Sequence, residues 1–468
     1  MSISTRAAID LSRQAAAFFL QRLGREVSRL HGVTYPGHHR GPEKWLDVVS
    51  GVLDTAVGYL EAAADPTTPD VDAAQRIADA EALGSGAYDL LRELDGADAD
   101  QIPHQIVKPF QRWVDGLGIG NTIFFRADHV ANYELARFHL DKSLYNINDP
   151  APSLVEALKA VNWPFMRLTV PSQALGMLPH FAIVGHELGH AIQDKIVLPP
   201  GKLDFMPFYA ALAARLKKAG LKLTTDTNLK AQSVLASWAQ EFKSDAVGLL
   251  VAGPAFFFAL GGFFEIAGGG YGISPSHPPS ALRRQLVLAG LRAGLPSHSE
   301  VFEAVTGLRI EEDTNSPHVA RLPDDDTLFS SLRAKYGAEH AAICVALLTV
   351  AKPVGDALFA EAEVVLKRDS TAMLYGPNRL RADLEDHLEP LCALIPPIER
   401  RDGAIVEATS LAGNLNVGWA ALLTKLDRIK VDIPPNGNPD TAKMEKLHEL
   451  LLKGVELAEA RMTWDECP

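Results

Sequence analysis

Cysteine is scarce. The 468 residues hold three, Cys344, Cys392 and Cys467, and none forms a CxxC pair. So sparse and odd a set excludes a disulfide framework and suits a reducing compartment; it reads as two small core residues and one residue of the tail. Positive charge is also short. Lys and Arg number 45 against 58 Asp and Glu, a formal net charge of −13, with no basic cluster. That balance excludes nucleic acid as the main partner, because phosphate binding needs a basic face. No GxGxxG leading into a helix and no GK[ST] occurs, so Gly116, Gly118 and Gly120 mark a tight turn into a strand rather than a phosphate loop. No repeat of fixed period and no low-complexity tract is found. Arg6, Asp10 and Arg13 precede any apolar run, so the expectation is a chain without a secretory signal, located in the cytoplasm.

What is present is the composition of an ordinary globular protein, 47% hydrophobic and 22% charged. The length is about three times that of a typical domain and predicts two or three. One run, Ala246 to Phe264, carries no charge over 19 residues and reaches the length of a membrane span. Gly253-Pro254 interrupts it and Gly261-Gly262 follows, so a helix buried in a large core is the reading taken. Membrane contact through the run is the alternative.

Helical periodicity marks Ala7–Leu30, Trp45–Ala64 and Val71–Leu94, separated by Pro- and Gly-rich loops. Two β-rich runs follow, Asn121–Arg126 and Met166–Val170. Helical patterns return at Leu178–Asp194 and Val234–Leu250. Beyond a polar stretch near residue 311 they recur at Leu328–Leu366, Arg379–Leu394, Leu411–Ile429 and Thr441–Met462. Asp324 to Asp326 read as an acidic helix cap rather than a cation site. The fold class expected is mainly α with a small β-sheet. The expected division is a helical N-terminal region (1–115), a catalytic domain (116–310) and a helical C-terminal region (311–468).

The chemistry concentrates in Phe181–Ala191, FAIVGHELGHA. His186 and His190 stand at i and i+4, one above the other on a helix, so both imidazoles can reach one Zn²⁺. Glu187, one position round, can reach a water on that ion without ligating it. A third ligand is expected from Ser237–Gly248, SWAQEFKSDAVG, where Glu241 and Asp245 again share one helical face. Glu241 would complete a His-His-Glu set with a fourth position for water, and Asp245 would accept a hydrogen bond from a ligand histidine. The bland alternative is a solvated acidic face paired with Lys243; Glu265 is the substitute ligand. Downstream, His277 of SPSHPPSALRRQ could donate to an oxyanion, and Arg283 could orient a site carboxylate or the substrate backbone. His38, His39, His129, His139 and His180 read as surface or satisfied core residues, His180 being near enough to line the cleft.

HELGH at 186–190, EFKSD at 241–245 and HPPSALR at 277–283, in this order, resemble the gluzincin family that includes the HtpX-like, Oma-like and CaaX prenyl proteases. The resemblance covers roughly residues 160 to 295. It implies a zincin-type domain, zinc held by His186, His190 and Glu241, Glu187 as general base, and Asp245 orienting a ligand. His277 and Arg283 would assist the transition state, and MRLTV would be an edge strand that pairs with an extended substrate. Ser244 stands where the family usually has Ala. The expected function is hydrolysis of peptide bonds in a protein or peptide substrate. The alternatives are a zinc hydrolase of non-peptide amides or esters, and a non-catalytic zinc-binding scaffold.

Overall fold

The computed structural model describes residues 5–33, 35, 41–94, 96–97, 102–129, 133–138, 149–161, 165–266, 272–312, 314, 322–402, 405–432 and 437–466. It is mainly helical with a small mixed sheet, as the patterning predicts. Contacts divide the chain into two units. One comprises Met1–Gln111, Gly120–Val130 and Glu134–Ser172; the other comprises Arg112–Ile119, Ala131–Tyr133 and Gln173–Pro468. The strands group with the N-terminal helices, and the C-terminal helices group with the HELGH segment.

In the first unit, α1 (Thr5–His31) buries Ile9, Ala16, Leu20, Leu23, Val27 and Leu30, a stripe at helical spacing. It packs with α2 (Gly41–Ala64) and α3 (Asp70–Arg92). The helix α4 (His104–Gly116), whose residues from Arg112 onward group with the second unit, leads to β1 (Ile123–Asp128). The strand β2 (Glu134–Phe138), α5 (Pro152–Ala160) and β3 (Phe165–Pro171) follow. Trp45 of α2 joins helices to sheet: its ring lies 4.6 Å from Phe165 and 6.0 Å from Phe124, and its indole N–H donates to the Leu90 carbonyl at 2.7 Å. The strand order is β1-β3-β2, with β3 parallel to β1 and antiparallel to β2. MRLTV is therefore the central strand. Both of its hydrogen-bonding sides are taken, and the expectation of an edge that receives substrate is corrected.

In the second unit, Leu178–Ile183 is a 3₁₀ turn that runs into α6 (Val184–Ile192). The elements after it are α7 (Met206–Lys218), α8 (Thr225–Ala252), α9 (Pro254–Ile266), α10 (Ser280–Leu291), α11 (His298–Thr306) and α12 (Asp325–Asp369). Then come α13 (Pro377–Cys392), the hairpin β4 (Glu399–Asp402) and β5 (Ile405–Ala408), α14 (Leu411–Thr424) and α15 (Pro439–Glu466). Asp324 caps α12 by accepting from the N–H groups of Asp326 and Thr327, the role its sequence predicts. Cys344 and Cys392 are buried free thiols; Cys467 lies outside the described residues, as do His38, His39 and His139.

The uncharged run Ala246–Phe264 is split between α8 and α9. Gly253 breaks it with a φ of 62°. Asn416, buried in α14, bridges the break: its Nδ2 donates to the Ala252 carbonyl at 2.7 Å and its Oδ1 accepts from the Ala255 N–H at 2.8 Å. Most of the run is buried, including Phe256, Phe257 and Phe258. Among the described residues one helix, α12, is long and apolar enough to cross a membrane, and Gly337 interrupts it at a φ of 83°.

Candidate metal centre

Space between two helices creates the site. A Cβ on Gly189 would lie 2.6 Å from the Ser244 Cα, and one on Gly185 would lie 3.0 Å from the Gly248 Cα. These are i, i+4 pairs on α6 and α8, so the two backbones touch over a full turn. No side chain separates them, and the residues flanking the seam are His186, His190, Glu241 and Asp245. Ser244 lies on this seam.

Among the described residues, His186, His190 and Glu241 form the one group whose donor atoms gather closely enough to hold a metal ion. The Nε2 atoms of His186 and His190 are 3.2 Å apart. Glu241 Oε2 lies 3.5 Å from His186 Nε2, and Oε1 lies 3.6 Å from His190 Nε2. A tetrahedral ion bound at about 2.0–2.1 Å by each donor would set them about 3.3–3.4 Å apart; the two imidazole nitrogens are near that spacing, while Glu241 turns a different oxygen to each ring and would bring one of them to the ion. Glu265, the substitute ligand, does not belong to the triangle of donors.

His186 and Glu241 are held from behind. His186 Nδ1–H donates to Asp245 Oδ1 at 2.9 Å, which leaves Nε2 facing the triangle. Arg283 donates to Asp245 through Nε and Nη2, both at 2.7 Å, and its Nη1 lies 2.9 Å from Glu241 Oε2. Its guanidinium also sits over the Phe264 ring. Arg283 is thus committed to the two carboxylates, the first of the two roles expected of it. Lys243 points elsewhere, donating to the Gln193 carbonyl at 3.2 Å, so it does not neutralise the acidic pair. His277 stands at the rim, half-exposed, with Nε2 3.9 Å from Glu241 Oε1 and Nδ1 held by Ser276.

The electrostatics follow from burial and pairing. Burial works to raise the carboxyls of Glu241 and Asp245, but the Arg283 charge overrides it and holds both below the usual range. Burial lowers His190 to about 4, and the charge of His186 adds to this, so its ring is neutral near pH 7. For His186 burial also acts downward, yet the hydrogen bonds to Asp245 and Glu241 prevail and raise it to about 9. In the metal-free protein, then, one proton occupies the space between the donors.

Glu187 is buried, with 8% of its surface exposed. Its charge acts on Arg283 and on Tyr133, whose hydroxyl is pushed far up, first by burial and then by Glu187. Tyr133 carries no sequence signal; it stands far before the motif and is not part of any pattern. Phe256 stacks on the His186 ring at 6.5 Å, so the apolar run after Asp245 forms a wall of the site. His180 packs against Trp419 rather than joining the donors, and His129 bonds Ser172 in the first unit. No family model, no curated protein and no solved structure matches the chain.

Proposed function

We propose that the protein is a zinc-dependent metallopeptidase of gluzincin type, with His186, His190 and Glu241 as ligands and Glu187 as general base. One observation carries the reading: three donor groups gathered within 4.8 Å of one another, with a buried carboxylate one residue from the first of them. Three protein ligands leave a position for water, whereas structural zinc sites use four. Bound zinc would supply Lewis acidity, acidifying the attacking water and polarising the scissile carbonyl.

The chain's own groups do the rest. Asp245 keeps the His186 proton on Nδ1, so that Nε2 offers its lone pair. Arg283 keeps Asp245 and Glu241 ionised and fixed in place, which makes it a positioning residue. The Glu187 carboxylate takes the proton of the attacking water and returns it to the leaving nitrogen. His277, at the exposed rim, is placed to donate to the oxygen that gains charge.

In Glu187→Gln, zinc content should be unchanged while peptide hydrolysis falls by about 10²–10⁴-fold. Metal analysis and turnover measured on one preparation test this together. Unaltered turnover would sink the assignment, and hydrolysis of simple amides or esters without any peptide cleavage would shift it to a different hydrolase.

A further inference from the structure

We infer, resting on the peptidase reading, that a cavity beside the proposed metal site receives a carboxamide side chain of the substrate, glutamine or asparagine. The cavity measures about 570 Å³. It is lined by Lys230, Ser233 and Ser237 of α8, by the loop that ends at His277, and by Tyr336 and His340 of α12. All of these belong to the second unit. Position makes the cavity part of a substrate path. Ser233, Ser237 and Glu241 recur every four residues on α8 and so share one face, with the two serines about 6–12 Å along the helix from the ligand. His277 belongs to both places: it lines the cavity, and its Nε2 lies 3.9 Å from Glu241 Oε1. An extended peptide advances about 3.3 Å per residue, so a side chain within about three residues of the scissile bond reaches the cavity.

The lining decides which side chain fits. Its one lysine, Lys230, is already balanced: Asp226 and Glu339 each accept from it at 2.7 Å, and Glu339 also accepts from the Thr227 hydroxyl at 2.6 Å. No carboxylate lines the cavity among the described residues. An acidic side chain therefore meets no open cation and a basic one no open anion, and either would give up its water without return. What stays open is neutral and polar. Ser233 Oγ, the Tyr336 hydroxyl and the His340 ring form no hydrogen bond among the described residues. Ser237 donates to the Ser233 carbonyl at 3.1 Å and keeps its lone pairs. A hydroxyl both donates and accepts, and a neutral imidazole has one nitrogen for each role. An aliphatic side chain would cover these groups and strip them of water. A carboxamide, with an NH₂ that donates and an oxygen that accepts, satisfies both kinds.

The test uses the full-length protein with zinc and a set of peptides cleaved at one bond. Each carries Gln, Glu, Lys or Leu at one of the three positions on either side of that bond. At one position kcat/KM for Gln should exceed that for Leu, Glu and Lys by about tenfold, the worth of one or two neutral hydrogen bonds. The double variant Tyr336→Phe/His340→Leu should abolish the preference by raising KM for the Gln peptide. It should cleave the Leu peptide as before, a control for intact fold and metal. Cleavage without preference at any position overturns the assignment of the cavity and leaves the peptidase reading standing. So does a preference for Glu or Lys, or a Gln preference that the double variant keeps. Cleavage of no peptide is the failure of the peptidase reading itself, and the assignment falls with it.

Discussion

At the scale of single residues, the buried guanidinium of Arg283 balances two carboxylates; their hydrogen bonds raise His186 to about 9, whereas burial and the His186 charge lower His190 to about 4. Between about pH 5 and about pH 9 the metal-free site holds one proton on His186 that an entering ion must displace. Zinc affinity should therefore rise about tenfold per pH unit across that window. Competition with a chelator of known affinity at several pH values measures the slope, and a flat profile contradicts the site. The sign reverses for the metal-free fold. A His186 pKa raised in the folded state stabilises it fully below about pH 6.5, an advantage lost as pH rises through about 9. Replacing Asp245 by Asn should lower zinc affinity about 10–100-fold, read from the same competition, because the ring loses its fixed tautomer. The donors were legible in the sequence because i, i+4 spacing projects onto one helical face whatever surrounds it. The bidentate grip of Arg283 on Asp245 was not, since it depends on where α10 crosses α8.

Elements show where sequence patterning has force and where it ends. The long helices were legible because each buries an apolar stripe, and so were the strands β1 and β3. The helix α7 was missed: Phe208, Leu212 and Leu216 form a buried stripe, but apolar residues on the outer face conceal it in the sequence. The place of β3 was also misread: strand propensity is local, whereas being central or at the edge depends on β2, a five-residue strand too short to stand out in the sequence. The seam between α6 and α8 gives a sharp test. Gly189→Ala would push a methyl group into the Ser244 backbone, which cannot give way as a side chain would. It should cost about 1–3 kcal/mol and lower zinc content by spreading the donors. Gly86→Ala, on a helix with nothing within 4 Å of the new methyl, should instead gain about 0.5–1 kcal/mol. Thermal or denaturant unfolding of the two variants compares them; equal effects would remove the seam from the argument.

For the whole molecule, every proposed ligand and the residues that brace it lie in the second unit. Zinc in 100-fold excess over its dissociation constant should stabilise that unit by about 2.7 kcal/mol. Hydrogen exchange with and without the ion should show the gain in α6, α8 and α10; protection unchanged there would separate metal binding from this site. The polar stretch near residue 311 resembles a linker in sequence, yet α12 beyond it packs on α8. A last consequence follows from the seam of touching backbones. Walls made of main chain have little to compress, so the triangle of donors cannot dilate to suit a wider guest. If the site holds a metal as proposed, calcium, which seeks six to eight oxygens at longer range, should be turned away by architecture alone, and small ions content with nitrogen should be favoured.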